Sequence, residues 1–159
     1  MYVLDYPEDP NVRNVDDEYL FCDTFLVAPM FSDRGGRRVY LPAGLWWRFP
    51  AGNRVDIHGE RVESRGEWVT VGCELDELPV WVRDGSVVLR CGPGEYVDAA
   101  AMIATLSVQC FGAVRQSVRD VVLPDGSTAR LSFESDGRVA TLHSGPIDRT
   151  LAVLPPGGD

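Results

Sequence analysis

A mainly β fold is predicted, two antiparallel β-sandwich modules preceded by a short helix and a strand, and three observations predict it. From residue 37 onward Pro and Gly punctuate the chain into apolar segments of about five to eight residues, the spacing of an all-β sandwich. Two segments, "ATLSVQCF" and "STARLSFE", alternate apolar with polar residues at the period of a half-buried strand. Asp-Gly pairs in "LPDGST" and "ESDGRV" stand between alternating segments, a strong short-range hairpin signal.

The elements follow in order. In "YPEDPNVRNVDDEYLF" two prolines interrupt the start. Asn14 is then a suitable N-cap, and Asp16, Asp17 and Glu18 suit a first turn, where carboxylates complement the helix dipole; a short helix is expected near residues 15 to 22. The continuous apolar run "TFLVAPM" reads as a strand buried on both faces, and "DRGG" as a turn. "RRVYLP" and "LWWRF" read as one strand pair, "EWVTV" as another strand, and "LPVWVRDGSVVL" as two strands joined at Asp84 and Gly85.

In "ATLSVQCF" Leu106, Val108 and Cys110 share one face and Thr105, Ser107 and Gln109 the other. In "STARLSFE" Ala129, Leu131 and Phe133 face inward while Arg130, Ser132 and Glu134 face outward. Residues 127 to 134 and 138 to 144 should pair as an antiparallel hairpin. "HSGPID" makes a corner, "TLAVL" a last strand, and "PPGGD" a fraying tail. "CGPGEYVDAAA", residues 91 to 101, is the natural boundary between β modules.

Composition narrows the function classes. With 159 residues, 45% of them apolar, the chain can build a core. Its formal charge of −9 comes from 24 acidic against 15 basic residues, all of the latter Arg, which argues against nucleic acid as a partner because phosphate neutralisation needs a basic face. Nothing approaches the roughly 18 to 20 apolar residues of a membrane span, and "MYVLDYPEDP" carries carboxylates where a signal peptide carries positive charge. A cytoplasmic chain without a membrane partner is expected. Cys22, Cys73, Cys91 and Cys110 lie 51, 18 and 19 positions apart, unlike the close ligand pairs of zinc sites; free buried thiols and no metal are expected.

Catalytic patterns are sparse. Asp16 and Asp17 are adjacent and diverge, unlike the carboxylates of a retaining glycosidase held about 5 Å apart across a substrate. His58, in "DIHGER", and His143, at a strand end beside Ser144, read as surface histidines, since neither adjoins a nucleophile motif and neighbours on a strand point to opposite faces. "CGPGEY" lacks the Lys and helix of a phosphate loop, and no cofactor is implied. Trp46, Trp47, Trp68 and Trp81 remain as the chemically loaded set. Period 2 sends Trp46 and Trp47 to opposite faces, so core packing accounts for most of them, with Trp47 the member expected to look outward. A carbohydrate-binding module using Trp47 or Trp68 as a stacking platform is the alternative function.

"LDYPEDPNVRNVDDEYLFCDTFLVAPMF", "RRVYLPAGLWWRFPAG" and "LDELPVWVRDGSVV" resemble, in order and spacing over residues 4 to 89, the C-terminal part of glycoside hydrolase family 31, the α-glucosidases and α-xylosidases. The resemblance implies that residues 1 to 32 are the end of a catalytic (β/α)8 barrel, 33 to 92 a proximal β-sandwich and 93 to 159 a smaller distal one. It also implies retaining α-glycosidase chemistry in the parent enzyme, with an Asp nucleophile in a W-x-D-M-like strand and an Asp general acid on a later one. No position of this sequence matches either, so no catalytic residue is expected here, and the implied role is support of a barrel absent from this chain. Partners implied are that barrel, or a second copy through the residual barrel face around Tyr2, Leu4, Phe25 and Val27, with an α-glucoside or α-xyloside as the associated sugar. Two departures stand out: Cys22 where the family usually places Gly, and Pro50 where an aromatic is common.

Overall fold

The computed structural model describes residues 2–31, 35–49, 60–92, 98–114, 118–134, 139–143 and 148–154, the first two by backbone alone. The chain is mainly β and divides between Asp84 and Gly85 into two compact units.

The first unit opens with α1 (Tyr2–Asp5) and a 3-10 helix over Pro10–Asn14. Asp9 caps that helix, its side chain accepting from the Asn11 N–H at 3.0 Å, and Pro10 arrives with φ already suited to the first helical position. The helical turn is thus used before Val15, and the helix expected near 15 to 22 does not form. Tyr19–Phe21 is instead strand β1, antiparallel to β2 (Phe25–Val27) with Tyr19 opposite Val27 and Phe21 opposite Phe25. The carboxylates read as a helix start have a different use: Asp17 and Glu18 meet Arg37 at 2.6 and 3.3 Å. In the β1–β2 turn Cys22 and Asp23 both take left-handed backbone, φ 53° and 52°.

Strands β3 (Arg37–Leu41), β4 (Gly44–Phe49), β5 (Arg61–Ser64), β6 (Glu67–Val71) and β7 (Val80–Arg83) follow. One sheet has the order β1-β2-β7-β4-β5, and β3 and β6 form a separate ribbon. "RRVYLP" and "LWWRF" therefore do not pair. The short connection through Pro42 and Ala43 carries the chain from one layer to the other, and Gly44 at φ 145° makes the corner. Between the layers lies a core of Leu26, Val39, Tyr40, Leu41, Trp46 and Trp81, with Val12 of the 3-10 helix beneath it. The apolar run is buried as anticipated at Leu26, Val27 and Ala28.

The second unit comprises β8 (Ser86–Arg90), α2 (Ala99–Ala104), β9 (Ser107–Phe111), β10 (Val118–Val122), β11 (Thr128–Glu134), β12 (Val139–His143) and β13 (Arg149–Leu154). Their pairing order is β10-β11-β12-β13-β9-β8, with a single parallel step, β13 on β9, among the described residues. Arg119 of β10 donates to the Gly85 carbonyl at 3.1 Å, at the entry to β8, so the two ends of that order approach and the strands curl around one core. The predicted hairpin forms, β11 antiparallel to β12. Ala129, Leu131 and Phe133 are buried as expected, while Arg130 and Glu134 are exposed and Ser132 is half-buried. Gln109, assigned to the polar face of its strand, is nevertheless fully buried. Asp98 caps α2 by accepting from the Ala100 and Ala101 N–H groups, and Arg149 donates to the Ile103 and Ala104 carbonyls at the other end of the helix. The boundary stretch thus contains a helix that no hydrophobic period announced.

Cys73 and Cys110 are buried, but Cys22 and Cys91 are exposed, against the expectation of four buried thiols. Pro50, His58, the first half of the "DRGG" turn, the turn at 135–138, the corner at 144–147 and the tail at 155–159 lie outside the described residues.

Candidate functional site

The first unit carries an aromatic margin. Strand β1 is the outer strand of its sheet, and alternation along it places Tyr19 and Phe21 on the exposed side, 47% and 58% accessible. Phe21 leads inward to Phe25, ring centroids 6.4 Å apart, and Phe25 meets Phe49 edge to face at 5.5 Å. Leu4 and Phe31 are exposed more fully still. Of the residues expected to form a barrel-facing surface, Leu4 is exposed, Phe25 half-buried and Val27 buried, and the Tyr2 side chain lies outside the described residues. Tyr19 and Phe21 carry no such signal in the sequence because a helix is expected over 15 to 22, which hides the outward side of a strand; Phe31 lies beyond β2, outside any strand.

The tryptophans divide by strand period. Trp46 is wholly buried with its indole N–H donating to the Pro42 carbonyl at 2.9 Å, and Trp81 is buried beneath the Arg48 guanidinium, 4.4 Å from the ring centroid. Trp47 points the other way, as its neighbour's burial requires, but it is half-buried. Its indole N–H is committed to the Asp84 carboxylate at 2.8 Å, and Arg61 lies 5.8 Å from its ring. Trp68 is the more open member, 40% accessible, with Tyr40 at 5.4 Å and Arg38 at 5.1 Å from its ring. The two nominated residues sit on different layers, Trp47 on β4 of the five-stranded sheet and Trp68 on β6 of the ribbon.

A shallow groove of about 500 Å³ runs beside the 3-10 helix, past Tyr6, Asp9, Asn11, Tyr40 and Arg65. Tyr40 donates its hydroxyl to Asp9 at 2.5 Å and receives the Asn11 amide at 3.3 Å. Burial first, and then the Asp9 acceptor, push the Tyr40 phenol above its ordinary value. Burial likewise raises Tyr6, although Arg83, which donates to the Tyr6 hydroxyl at 2.8 Å, pulls the other way. The side chain of Glu18 is completely enclosed and accepts the Tyr40 backbone N–H at 2.9 Å as well as the Arg37 contact. These groups tie one another down.

In the second unit His143, read as a surface histidine, has two close partners. The Ser132 hydroxyl lies 2.8 Å from Nε2 and the Asp148 carboxylate 2.8 Å from Nδ1. No group of three or more His, Cys, Asp or Glu among the described residues could hold a metal ion, and no helix among them is long and apolar enough to cross a membrane.

Residues 1–88 match the family model described as the glycosyl hydrolase family 31 C-terminal domain. The α-xylosidase XylQ of Lactiplantibacillus pentosus is 35% identical over 97 residues, 61% of this chain and 12% of that protein. An α-xylosidase of Emericella nidulans is 38% identical over 90 residues, 53% of this chain and 11% of that protein. The chain thus spans about a tenth of the length of these curated relatives. Among solved structures, the family 31 α-xylosidase of Xanthomonas citri superposes on 98% of this chain and 18% of its own, with a TM-score of 0.68 and 27% identity.

Proposed function

The chain belongs to glycosyl hydrolase family 31 by its C-terminal domain, and from that premise we propose that it braces a family 31 catalytic barrel without supplying a catalytic group. The observation that carries this reading is the aromatic margin of the first unit: Tyr19 and Phe21 on an outer strand, with Leu4 and Phe31 also exposed. An outer strand with large apolar side chains is a surface that soluble monomers seldom leave open. A family 31 barrel is the occupant this reading gives to that face, with an α-xyloside or α-glucoside as the sugar turned over elsewhere. A second copy of this chain is the competing occupant.

The test is a chimera in which this chain replaces the matching segment of the Xanthomonas citri α-xylosidase. The chimera should assemble and hydrolyse an aryl α-xyloside, and Phe21→Asp together with Phe31→Asp should abolish that activity. The same pair in the isolated chain should move stability by only about 0.5 kcal/mol per site, as exposed positions do. Activity indifferent to both charges would remove the brace reading. A concentration-independent monomer by light scattering would remove self-association.

A carbohydrate-binding role is the second reading, and the exposure of Trp68 favours it over Trp47. Fluorescence titration with maltose and xylose oligosaccharides should then respond in the parent chain and not in Trp68→Ala. No response at millimolar sugar counts against it.

A further inference from the structure

The second unit holds an arrangement that bracing a barrel does not require. Three neighbouring strands bring it together by register. Ser132 pairs with Thr141 and Arg130 with His143 across β11 and β12, so Ser132 and His143 are diagonal neighbours on one face. Leu142 pairs with Arg149 across β12 and β13, and the next antiparallel step sets His143 beside Asp148. The opposite face carries Leu131, Ala140 and Leu142, all fully buried, which pins the register because a one-residue slip would turn them outward.

We propose that Ser132, His143 and Asp148 form a Ser-His-Asp relay that makes Ser132 a nucleophile toward esters of short carboxylic acids. Asp148 accepts from Nδ1 at 2.8 Å, so the neutral imidazole carries its proton there and presents an unprotonated Nε2. That nitrogen stands 2.8 Å from the Ser132 Oγ, the reach a general base needs. His143 and Asp148 retain 36% and 59% of their side-chain exposure, leaving the face open to a reagent. Beside the imidazole an open groove of about 700 Å³ is lined by Asp120, Thr128, Ala129, Arg130 and His143. Its half-polar lining suits a small acyl group rather than a long chain, and Arg130, directly across the ladder from His143, gives its Nε–H to Asp120 at 3.3 Å and has its terminal N–H groups left for a developing oxyanion.

In the acylation step Oγ bonds to the carbonyl carbon, the bond from that carbon to the alcohol oxygen breaks, and the Oγ proton passes through Nε2 to the departing alkoxide. Water then attacks the acyl carbon. It gives its proton to Nε2, which returns it to Oγ as the carboxylic acid leaves.

The test uses the full chain with a fluorophosphonate, whose phosphorus bonds to Oγ as fluoride departs, followed by peptide mass spectrometry to locate the adduct. Hydrolysis of p-nitrophenyl acetate is measured in parallel. The expected result is an adduct on Ser132, lost in Ser132→Ala. Its formation should slow about 100-fold in His143→Gln, the usual contribution of a general base, and at least about tenfold in Asp148→Asn. Thermal midpoints of the three variants identify any that fails to fold. The wild-type chain needs no such control: absence of an adduct on its Ser132, or acetate hydrolysis equal in Ser132→Ala, overturns the proposal and leaves the trio as a tie between strands.

Discussion

The two units solve the same problem, closing strands around a core, with different materials. The first packs Trp46, Trp81 and Tyr40 between a five-stranded sheet and a ribbon, and it buries charge among them: Glu18 with Arg37, and Arg48 over Trp81. The second fills its core mostly with aliphatic side chains, Leu106, Val108, Leu131, Leu142 and Leu151, with Phe133 the aromatic member of the cluster. Aromatic and ionic packing depends on particular partners brought from afar, whereas an aliphatic core depends mainly on volume and alternation. The family model ends at residue 88, close to the unit boundary. The specific packing and the family signature thus coincide in one half of the chain.

All four tryptophans lie in the first unit, so Trp fluorescence follows it selectively while hydrogen exchange along β9 to β13 follows the second. The largest expected separation comes from Trp46→Ala, which should destabilise the first unit by about 4 kcal/mol. Protection in the second should be left intact, and a matching loss there would merge the two units into one cooperative block. Leu131→Ala is the mirror experiment and should cost the second unit about 3 kcal/mol with little change in the fluorescence transition.

Glu18→Gln tests the ionic character of the first core. It should cost about 2 kcal/mol, less than a buried pair usually does, because Arg37 keeps Asp17 at 2.6 Å as an alternative partner. No change in the denaturant midpoint would mean that this charge is dispensable. Cys22→Gly should have the opposite sign, adding about 1 kcal/mol to the first unit, because Cys22 holds φ 53° where a side chain is penalised and Gly is not. A loss of stability would show that the thiol makes a contact worth more than the strain.

The smallest effects concern alkaline pH. Tyr6 and Tyr40 have raised values in the folded first unit, so the unfolded chain loses those protons first. Their contribution is complete below the ordinary value of 10.0 and is lost as pH climbs through the raised values. Burial raises the Cys110 thiol in the second unit, whose decline should therefore begin earlier, above the ordinary 9.0. Fluorescence-detected and exchange-detected melts across that range should separate in this order.

How far the sequence reading reached differs in the same way. Alternation in "STARLSFE", with the Asp-Gly turn before it, identified β11 and its buried face because every signal was local. Local signals mislead at residues 15 to 22, where Asp16, Asp17 and Glu18 satisfy a helix dipole locally but two of them are claimed by Arg37 of a distant strand. "RRVYLP" and "LWWRF" were separated for a related reason: adjacency favours a hairpin, and the corner at Gly44 sends them to different layers. The site residues follow suit. That Trp46 and Trp47 face opposite ways was legible from period 2, but the Asp84 partner of Trp47 was not. His143 gave no signal because its partners come from the strands on either side.

The sequence by itself determined the mainly β class, the inward residues of the alternating strands and the family, because strand period, turn chemistry and ordered motifs are properties of neighbours along the chain. Only the tertiary structure decided that Phe21 edges a sheet, that Glu18 is buried under Arg37, and that Ser132, His143 and Asp148 converge. Those outcomes depend on which strands pair and in what register, and that choice is set within each unit by the burial of its own core.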